Sequence, residues 1–344
     1  MKKVMVGISG GVDSATSCLI LKEMGYDVAG CNINFIEKED TINPDAKSVC
    51  ESLNIPFYHF DLYDVFKEKV IKNFYESYNN GKTPNPCVLC NKYFKFGKLL
   101  DFALENGYEY IATGHYAKVE YSEKYNRYIL KKANNLAKDQ SYFLYQIKKE
   151  ALSHVIFPLE DYSSKDDVRN KAKEASLGVS QKKDSLDICF IPDKDYKAYL
   201  INNNYVKVKP GNIILSNGTI LGKHNGLFNY TIGQRKGLGI AYSEPLFVLG
   251  FDFNKNNLIV GTEKKKNKKE IVITDVNLLL FDKIDDGSRF NVRVRYQGKD
   301  NKATLYNLGE KIRIIFDEPI KSPTPGQSAV IYLDDIVVGG GIIE

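Results

Sequence analysis

The sequence predicts an α/β protein: a parallel-sheet domain over residues 1–204, a small β-rich domain over 205–268 and a C-terminal β-barrel over 269–344. Three features predict it. Up to about Asn106, short apolar runs alternate with runs of helical period, the pattern of strands joined by crossover helices. Around Tyr205 the texture changes to short β-like runs broken by Gly211, Gly218, Gly222, Gly226, Gly233, Gly237 and Gly239. After the charged stretch 263–270, further strand-like runs follow one another with only turns between them.

In order, residues 4–8, 28–33 and 57–60 read as strands, and 15–24, 44–53 and 65–78 as the helices between them. Pro44 suits the first turn of its helix, where a missing N–H costs nothing, and Gly25 and Gly81 suit helix ends. A helix is expected from about 91 to 106, then a strand over 110–113 that leads into Gly114-His115-Tyr116-Ala117. That places a second glycine loop beside the first on the carboxyl edge of the sheet, where ligands of such sheets bind. The barrel strands are expected over 271–276, 290–296, 311–316, 329–333 and 337–343. The run Lys264-Lys265-Lys266-Asn267-Lys268-Lys269 reads as a solvated linker or hairpin tip in preference to a nucleic-acid motif.

At 344 residues the chain exceeds a typical single domain, and its formal charge of +5 is mild enough to permit an RNA partner through local patches without requiring one. It lacks an apolar run long enough to span a membrane, and Met1-Lys2-Lys3 leads straight into the first strand, so no membrane association and a cytoplasmic location are expected. Six cysteines in such a chain argue against a disulfide framework; only Cys87 and Cys90 are clustered.

The first chemical motif is Gly7-Ile8-Ser9-Gly10-Gly11-Val12-Asp13-Ser14, between an apolar strand and a helix. Its glycines allow a tight turn that brings backbone N–H groups to a phosphate at the positive end of the helix. A kinase-type phosphate loop would carry a lysine where Val12-Asp13 stands. The S-G-G-x-D-S core instead resembles the PP-loop of the ATP pyrophosphatases, which split ATP into AMP and pyrophosphate. That resemblance implies an adenine-nucleotide alpha-hydrolase-like domain, ATP as substrate and Asp13 on Mg2+.

The second motif is Thr83-Pro84-Asn85-Pro86-Cys87-Val88-Leu89-Cys90-Asn91-Lys92. The prolines set an extended approach, and the cysteines fall at or just before a helix N-terminus, with Lys92 and Lys95 nearby to favour thiolate, so Cys90 is a candidate nucleophile. Cys189 stands among apolar neighbours and by itself reads as a packed core cysteine. A structural zinc site lacks its second half, since neither another C-x-x-C nor a suitably spaced His pair follows.

These motifs, with Lys138-Asp139-Gln140-Ser141-Tyr142-Phe143-Leu144, Lys183-Asp184-Ser185, Ile188-Cys189-Phe190-Ile191, Thr324-Pro325-Gly326-Gln327 and the Gly339-Gly340-Gly341-Ile342-Ile343-Glu344 ending, occur in order along essentially the whole chain. Together they resemble the bacterial tRNA-specific 2-thiouridylases, which replace O2 of the anticodon wobble uridine by sulfur. The resemblance implies a tRNA-uridine 2-sulfurtransferase in which Gly7, Ile8, Ser9, Gly10, Gly11, Val12, Asp13, Ser14, Ile33 and Gly114 bind ATP. It implies that Asn85, Pro86 and Cys87 meet the target base, and that His115, Lys138, Asp139, Gln140, Arg295, Tyr296 and Gln327 contact tRNA. The catalytic pair would be Cys90 and Cys189: Cys189 takes a persulfide from a cysteine desulfurase or relay protein, ATP adenylates the uracil oxygen, sulfur displaces AMP, and Cys90 forms a disulfide with Cys189. The expected substrates are the tRNAs accepting glutamate, lysine and glutamine.

One position departs from the family pattern, in which an aspartate commonly stands where this chain has Cys87. Two schemes stay open on that account. Cys87, Cys90 and Cys189 could be three thiolate ligands of a [4Fe–4S] cluster with one open iron, or Cys87 could be a spare thiol beside a persulfide enzyme. Other PP-loop enzymes that adenylate small molecules or other tRNA positions, and a non-catalytic RNA-binding protein, are the alternative readings; neither accounts for the cysteines.

Overall fold

The computed structural model describes every residue except 37, 38, 40, 183–186 and 264–266, so the Lys183-Asp184-Ser185 motif and the first three lysines of the basic run lie outside the described residues. The chain opens with the alternation its sequence predicts. Strand β1 (Lys3–Gly7) leads into helix α1 (Val12–Glu23), β2 (Asp27–Asn34) into α2 (Pro44–Leu53), and β3 (Phe57–Asp61) into a long helix built from Tyr63–Phe66, a π-helical stretch Lys67–Ile71 and Lys72–Asn79. A second long helix runs through Pro86–Cys90, a π-helical Asn91–Lys98 and Leu99–Glu105 to β4 (Tyr110–Ala112). A hairpin β5 (Lys118–Ser122) and β6 (Arg127–Lys131) and the short strand β7 (Val155–Ile156) follow.

Five of these strands form one parallel sheet in the order β3-β2-β1-β4-β7. The apolar runs that predicted them are its interior: Val4, Met5, Val6, Ala29 and Ile111 are at most fractionally exposed. Helix α1 is buried on most of its circumference because it lies between this sheet and a helix at Lys165–Glu174 that the sequence did not reveal. That helix is mostly charged, and only Val168 and Ala172 are buried on it, too thin an apolar stripe to be read from periodicity.

The central β-rich region is a four-stranded sheet ordered β10-β11-β8-β9, from β8 (Gly211–Leu215), β9 (Ile220–His224), β10 (Phe247–Asp252) and β11 (Asn257–Gly261). The last region contains β12 (Asn267–Leu278), β13 (Ser288–Arg293), β14 (Asn301–Asn307), β15 (Ile312–Lys321), β16 (Ser328–Leu333) and β17 (Ile336–Ile343). These pair antiparallel around a ring that closes through β12 and β17, so the expected terminal barrel is present with six strands. Strand β14, whose buried Ala303 and Leu305 alternate with polar residues, escaped the sequence reading. Lys268 and Lys269 are corrected from linker to the start of β12, where cross-strand pairing with β15 overrides their polarity.

The barrel does not stand apart from the first region. Hairpin β5-β6 extends the barrel sheet through β17, and Leu130, Tyr142, Tyr145, Val330, Tyr332 and Val337 share one apolar cluster with Met5 and Leu99 of the α/β core. Among the described residues no helix is long and apolar enough to cross a membrane.

Candidate active site

The chain leaves β1 at Gly7 where its neighbours β2 and β4 lie on opposite sides, the switch point at which parallel sheets hold ligands. Gly10 turns the loop with φ +71°, and a Cβ there would stand 2.8 Å from Asn43 Oδ1 and 2.9 Å from Asp45 Cβ. The Ser9 N–H donates to Ser14 Oγ at 3.2 Å, and that hydroxyl donates to the Gly11 carbonyl at 3.1 Å. Asn43 caps α2 by accepting from the N–H groups of Asp45 and Ala46, and its amide donates to the Ser9 carbonyl at 3.2 Å. Asn32 donates to the Ile8 carbonyl at 3.1 Å from the end of β2, next to the half-buried Ile33. The N-termini of α1 and α2 therefore flank the same loop, and the unbonded first-turn N–H groups of α1 make it attractive to anions, whereas those of α2 are taken up by Asn43. The second glycine loop completes the rim: a Cβ on Gly114 would come within 2.7 Å of Asp13 Cβ and 2.8 Å of Ser14 N.

Asp13 Oδ1 accepts from the Tyr116 hydroxyl at 3.0 Å and Oδ2 pairs with Lys165 Nζ at 2.5 Å. A hard carboxylate such as Asp13 beside a polyphosphate site fits Mg2+, which takes one or two carboxylates and completes its shell from phosphates and water. Asn32, Asn43, Tyr116, Lys165 and Lys182 belong to this site without having been singled out. The signal at Asn43 was present, an N-cap type followed by Pro44 at the first helical position. Lys165 and Lys182 carried no local signal, since their partners Asp13 and Gly10 lie 152 and 172 positions away.

The cysteine helix starts at Pro86 and not near residue 91, because Pro86 is itself well suited to a first helical position. Cys87 thus lies exposed in the first turn, while Cys90 lies a turn further in and is 7% exposed. Cys90 shares an apolar cluster with Phe66, Phe74, Phe94 and Phe190. Phe190 packs edge-on against Phe66 and Phe74, with ring centres 5.7 and 5.4 Å away, and so anchors the turn that presents Cys189. Cys189 is exposed and not a core cysteine: its apolar neighbour Phe190 does the packing. The three sulfurs are near enough to influence one another electrostatically, and all six cysteines are free thiols.

The expected thiolate activation at Cys90 is corrected. Burial pushes its thiol up to about 12, against the downward pull of Lys95. The surrounding protein also raises Cys87 and Cys189, and Lys95 again opposes it. Lys92 is not a thiol partner, since its ammonium lies 3.3 Å from Asp275 of the barrel. Among the described residues no three His, Cys, Asp or Glu side chains are gathered as a metal-binding group.

His115 lies between the two centres. Its Nδ1 is 2.8 Å from Thr113 Oγ1, its ring packs against Phe96 and Phe157, and burial first, then Lys95, hold its pKa well below the usual imidazole value, so it is neutral. Gln140 clamps the same loop, accepting from the Tyr116 N–H at 3.0 Å and donating its own N–H to the Tyr116 carbonyl at 2.8 Å. Lys138 is half-buried and Arg295 exposed, the latter donating to the Ser322 carbonyl at 2.7 Å. The Tyr296 ring lies 4.5 Å from that of Phe143, whose carbonyl accepts from Asn91 at 3.0 Å. Asp139, expected to face tRNA, is instead 2% exposed: it accepts from the Ala133 and Ser141 N–H groups and the Ser141 hydroxyl, and pairs with Arg293. A buried carboxylate is tolerated only with such partners. Gln327 donates to the carbonyls of Thr83 at 2.9 Å and Pro84 at 3.2 Å, so the barrel holds the extended approach to Asn85 and Pro86 from behind.

Family models match the three regions in turn: one described as tRNA methyl transferase HUP domain over residues 2–193, one as tRNA methyl transferase PRC-barrel domain over 200–262 and one as aminomethyltransferase beta-barrel domain over 268–343. Curated relatives named tRNA-specific 2-thiouridylase MnmA, from Acetivibrio thermocellus and Clostridioides difficile, are each 43% identical over 100% of this chain and 99% and 98% of their own. One of the same name from Clostridium beijerinckii is also 43% identical, over 100% of this chain and 99% of its own.

Proposed function

The chain belongs to the tRNA-specific 2-thiouridylase family, and from that premise we propose how its loops divide the work of tRNA 2-thiolation. It is an ATP-dependent tRNA-uridine 2-sulfurtransferase. The observation that carries the division is the second glycine loop. Gly114 packs directly on Asp13 and Ser14 of the nucleotide loop, while the next residue, His115, packs on Phe96 and feels Lys95, whose charge also reaches all three thiols. A uridine placed over this loop would meet ATP on one side and sulfur on the other.

In the proposed sequence, O2 of the wobble uridine of the glutamate, lysine and glutamine tRNAs attacks the α-phosphorus. A Pα–O2 bond forms, the Pα–O bridge breaks with its electron pair on pyrophosphate, and the N3 proton is lost. Mg2+, when bound, neutralises phosphate charge at this step. The outer sulfur of a Cys189 persulfide, delivered by a cysteine desulfurase or relay protein, then adds at C2 and AMP departs with the C2–O2 electron pair. Adenylation is needed because oxide is a poor leaving group. Cys90 gives up its thiol proton to water and attacks the Cys189 sulfur; the S–S bond to the outer sulfur breaks with its electron pair on that sulfur, which stays on the base, and the Cys90–Cys189 disulfide that forms is reopened by two electrons from a dithiol reductant. The exposed Cys189 suits a thiol that must meet a donor protein, and the buried Cys90 suits one that acts only within the chain. Neutral His115 offers the base a hydrogen bond without adding charge. The exposed Arg295, the half-buried Lys138 and the Asn85-Pro86-Cys87 turn, in which Cys87 is exposed, Asn85 half-buried and Pro86 buried, are the proposed tRNA contacts.

The test is thiolation of unmodified tRNA with ATP, Mg2+, cysteine and a desulfurase, with nucleosides and nucleotides quantified together. One AMP and one pyrophosphate are expected per 2-thiouridine. ADP and phosphate formed in step with thiolation would refute the scheme.

A further inference from the structure

The nucleotide loop carries no lysine of its own, and the structure supplies two from elsewhere. Lys165, at the first position of the Lys165–Glu174 helix, reaches Asp13 at one end of the loop with its side chain only 13% exposed. A cation at a helix N-terminus opposes the helix dipole, although Asp166 and Asp167 share its first turn. Lys182 reaches the other end, donating to the Gly10 carbonyl at 3.1 Å and to Asp45 at 2.5 Å. The same helix positions both: Arg169 donates to the carbonyls of Ser180 and Lys182, each at 3.0 Å, and Thr16 of α1 donates to the Val168 carbonyl at 3.4 Å.

We propose that Lys165 and Lys182 together replace the absent phosphate-loop lysine, binding the β- and γ-phosphates of ATP and stabilising the pyrophosphate that leaves. The loop's N–H groups and the two facing helix ends hold the anion, but they carry only partial charge, whereas breaking the Pα–O bridge places a further full negative charge on the leaving oxygen. Two ammonium groups, one at each rim of the loop, meet that demand. Their present partners, Asp13 and Asp45, hold them in place when no polyphosphate is bound. Release of Lys165 from Asp13 also frees a carboxylate oxygen for a divalent cation, so polyphosphate and cation exchange for one ion pair. Chain separation hides the device: the helix at 165–174 closes over α1 and brings the second half of the site with it.

This inference rests on the nucleotide loop of the proposed function but not on tRNA or sulfur. Its test is equilibrium binding of α,β-methylene-ATP, pyrophosphate and AMP to the full-length protein, wild type and with Lys165→Met, Lys182→Met or Lys165→Arg. A lost charge-assisted contact should weaken the methylene analogue and pyrophosphate roughly tenfold to a hundredfold in each methionine variant. AMP affinity should stay unchanged, and Lys165→Arg should recover most of the loss. The double variant Asp13→Asn/Lys165→Met removes both charges of the pair, and it too should bind AMP but not the analogue if the lysine acts on phosphate. Equal weakening of AMP and analogue, or analogue affinity unchanged in both methionine variants, overturns the proposal. A wild-type protein that binds the analogue but does not thiolate tRNA would instead defeat the proposed function alone.

Discussion

The nucleotide loop and the sulfur site lie on either side of one short segment, Gly114-His115, yet they are built in opposite ways. Around the loop, Asp13 and Asp45 meet lysines, and the serine and asparagine side chains are hydrogen-bonded to the turn that they support. Around Cys90 the neighbours are phenylalanine rings, and the charge that acts on all three thiols is that of Lys95. The difference follows from the two tasks proposed for them. Polyphosphate is charged on arrival, so its receptors must already be fixed, with no reorganisation left to perform. A thiol that is reactive before its substrate arrives is exposed to oxidation, and the apolar surroundings keep Cys90 protonated.

The sharpest break between the regions comes from removing one at a time. Cys90→Ser or Cys189→Ser is expected to reduce 2-thiouridine to background by nucleoside mass spectrometry, with affinity for α,β-methylene-ATP intact. Loss of nucleotide affinity in either variant would show that the regions are not independent. Conversely, Asp13→Ala should abolish thiolation and AMP release while tRNA binding, followed by gel shift, survives.

Cys87 is the next test, because it decides whether the sulfur site is thiol or metal chemistry. Protein purified without oxygen is expected to hold no stoichiometric iron or acid-labile sulfide, and Cys87→Ser to keep most of its thiolation. Four irons per chain lost together with activity in that variant would reverse the reading.

The contrast in protonation gives a smaller, graded effect. Burial moves Cys90 from 9.0 to about 12, so the folded chain keeps this proton over a range where the unfolded chain has lost it. The stability it contributes is complete below about pH 9 and falls as pH rises toward 12. Iodoacetamide should therefore label the exposed Cys87 and Cys189 first at pH 8, and Cys90 increasingly as pH rises, read by peptide mapping. Fast labelling of Cys90 at pH 8 would mean that Lys95 outweighs burial.

The smallest expected effect is at the seam between barrel and loop. Gln327→Ala removes two hydrogen bonds to the Thr83 and Pro84 carbonyls, each worth about 1 kcal/mol. Thiolation should drop several-fold through looser seating of the base-facing turn, with nucleotide affinity unchanged. An equal fall in nucleotide affinity would place the effect in folding.

What sequence alone determined follows from short range. Strands β1 to β4, five of the six barrel strands and helices α1 and α2 follow from apolar period, and the glycine turn from its own residues; all act within a few positions. The cysteine motif singled out Cys87 and Cys90 as clustered thiols, and the family resemblance added the expectation that Cys90 and Cys189 carry sulfur. The electrostatic state of those thiols was not legible, because the helix rings and Phe190 that bury Cys90 come from separate stretches of chain and outweigh a nearby lysine. Nor was the inward turn of Asp139, which depends on Arg293 across 154 positions. The joining of hairpin β5-β6 to the barrel also required the tertiary structure, and it gives the first and last regions a common core that a cut at residue 204 would expose. Local preference sets what a segment can become, whereas burial and charge pairing depend on which distant segments pack against it. Lys165 and Lys182 therefore look like surface lysines in the sequence and stand at the phosphate loop only once the chain has folded.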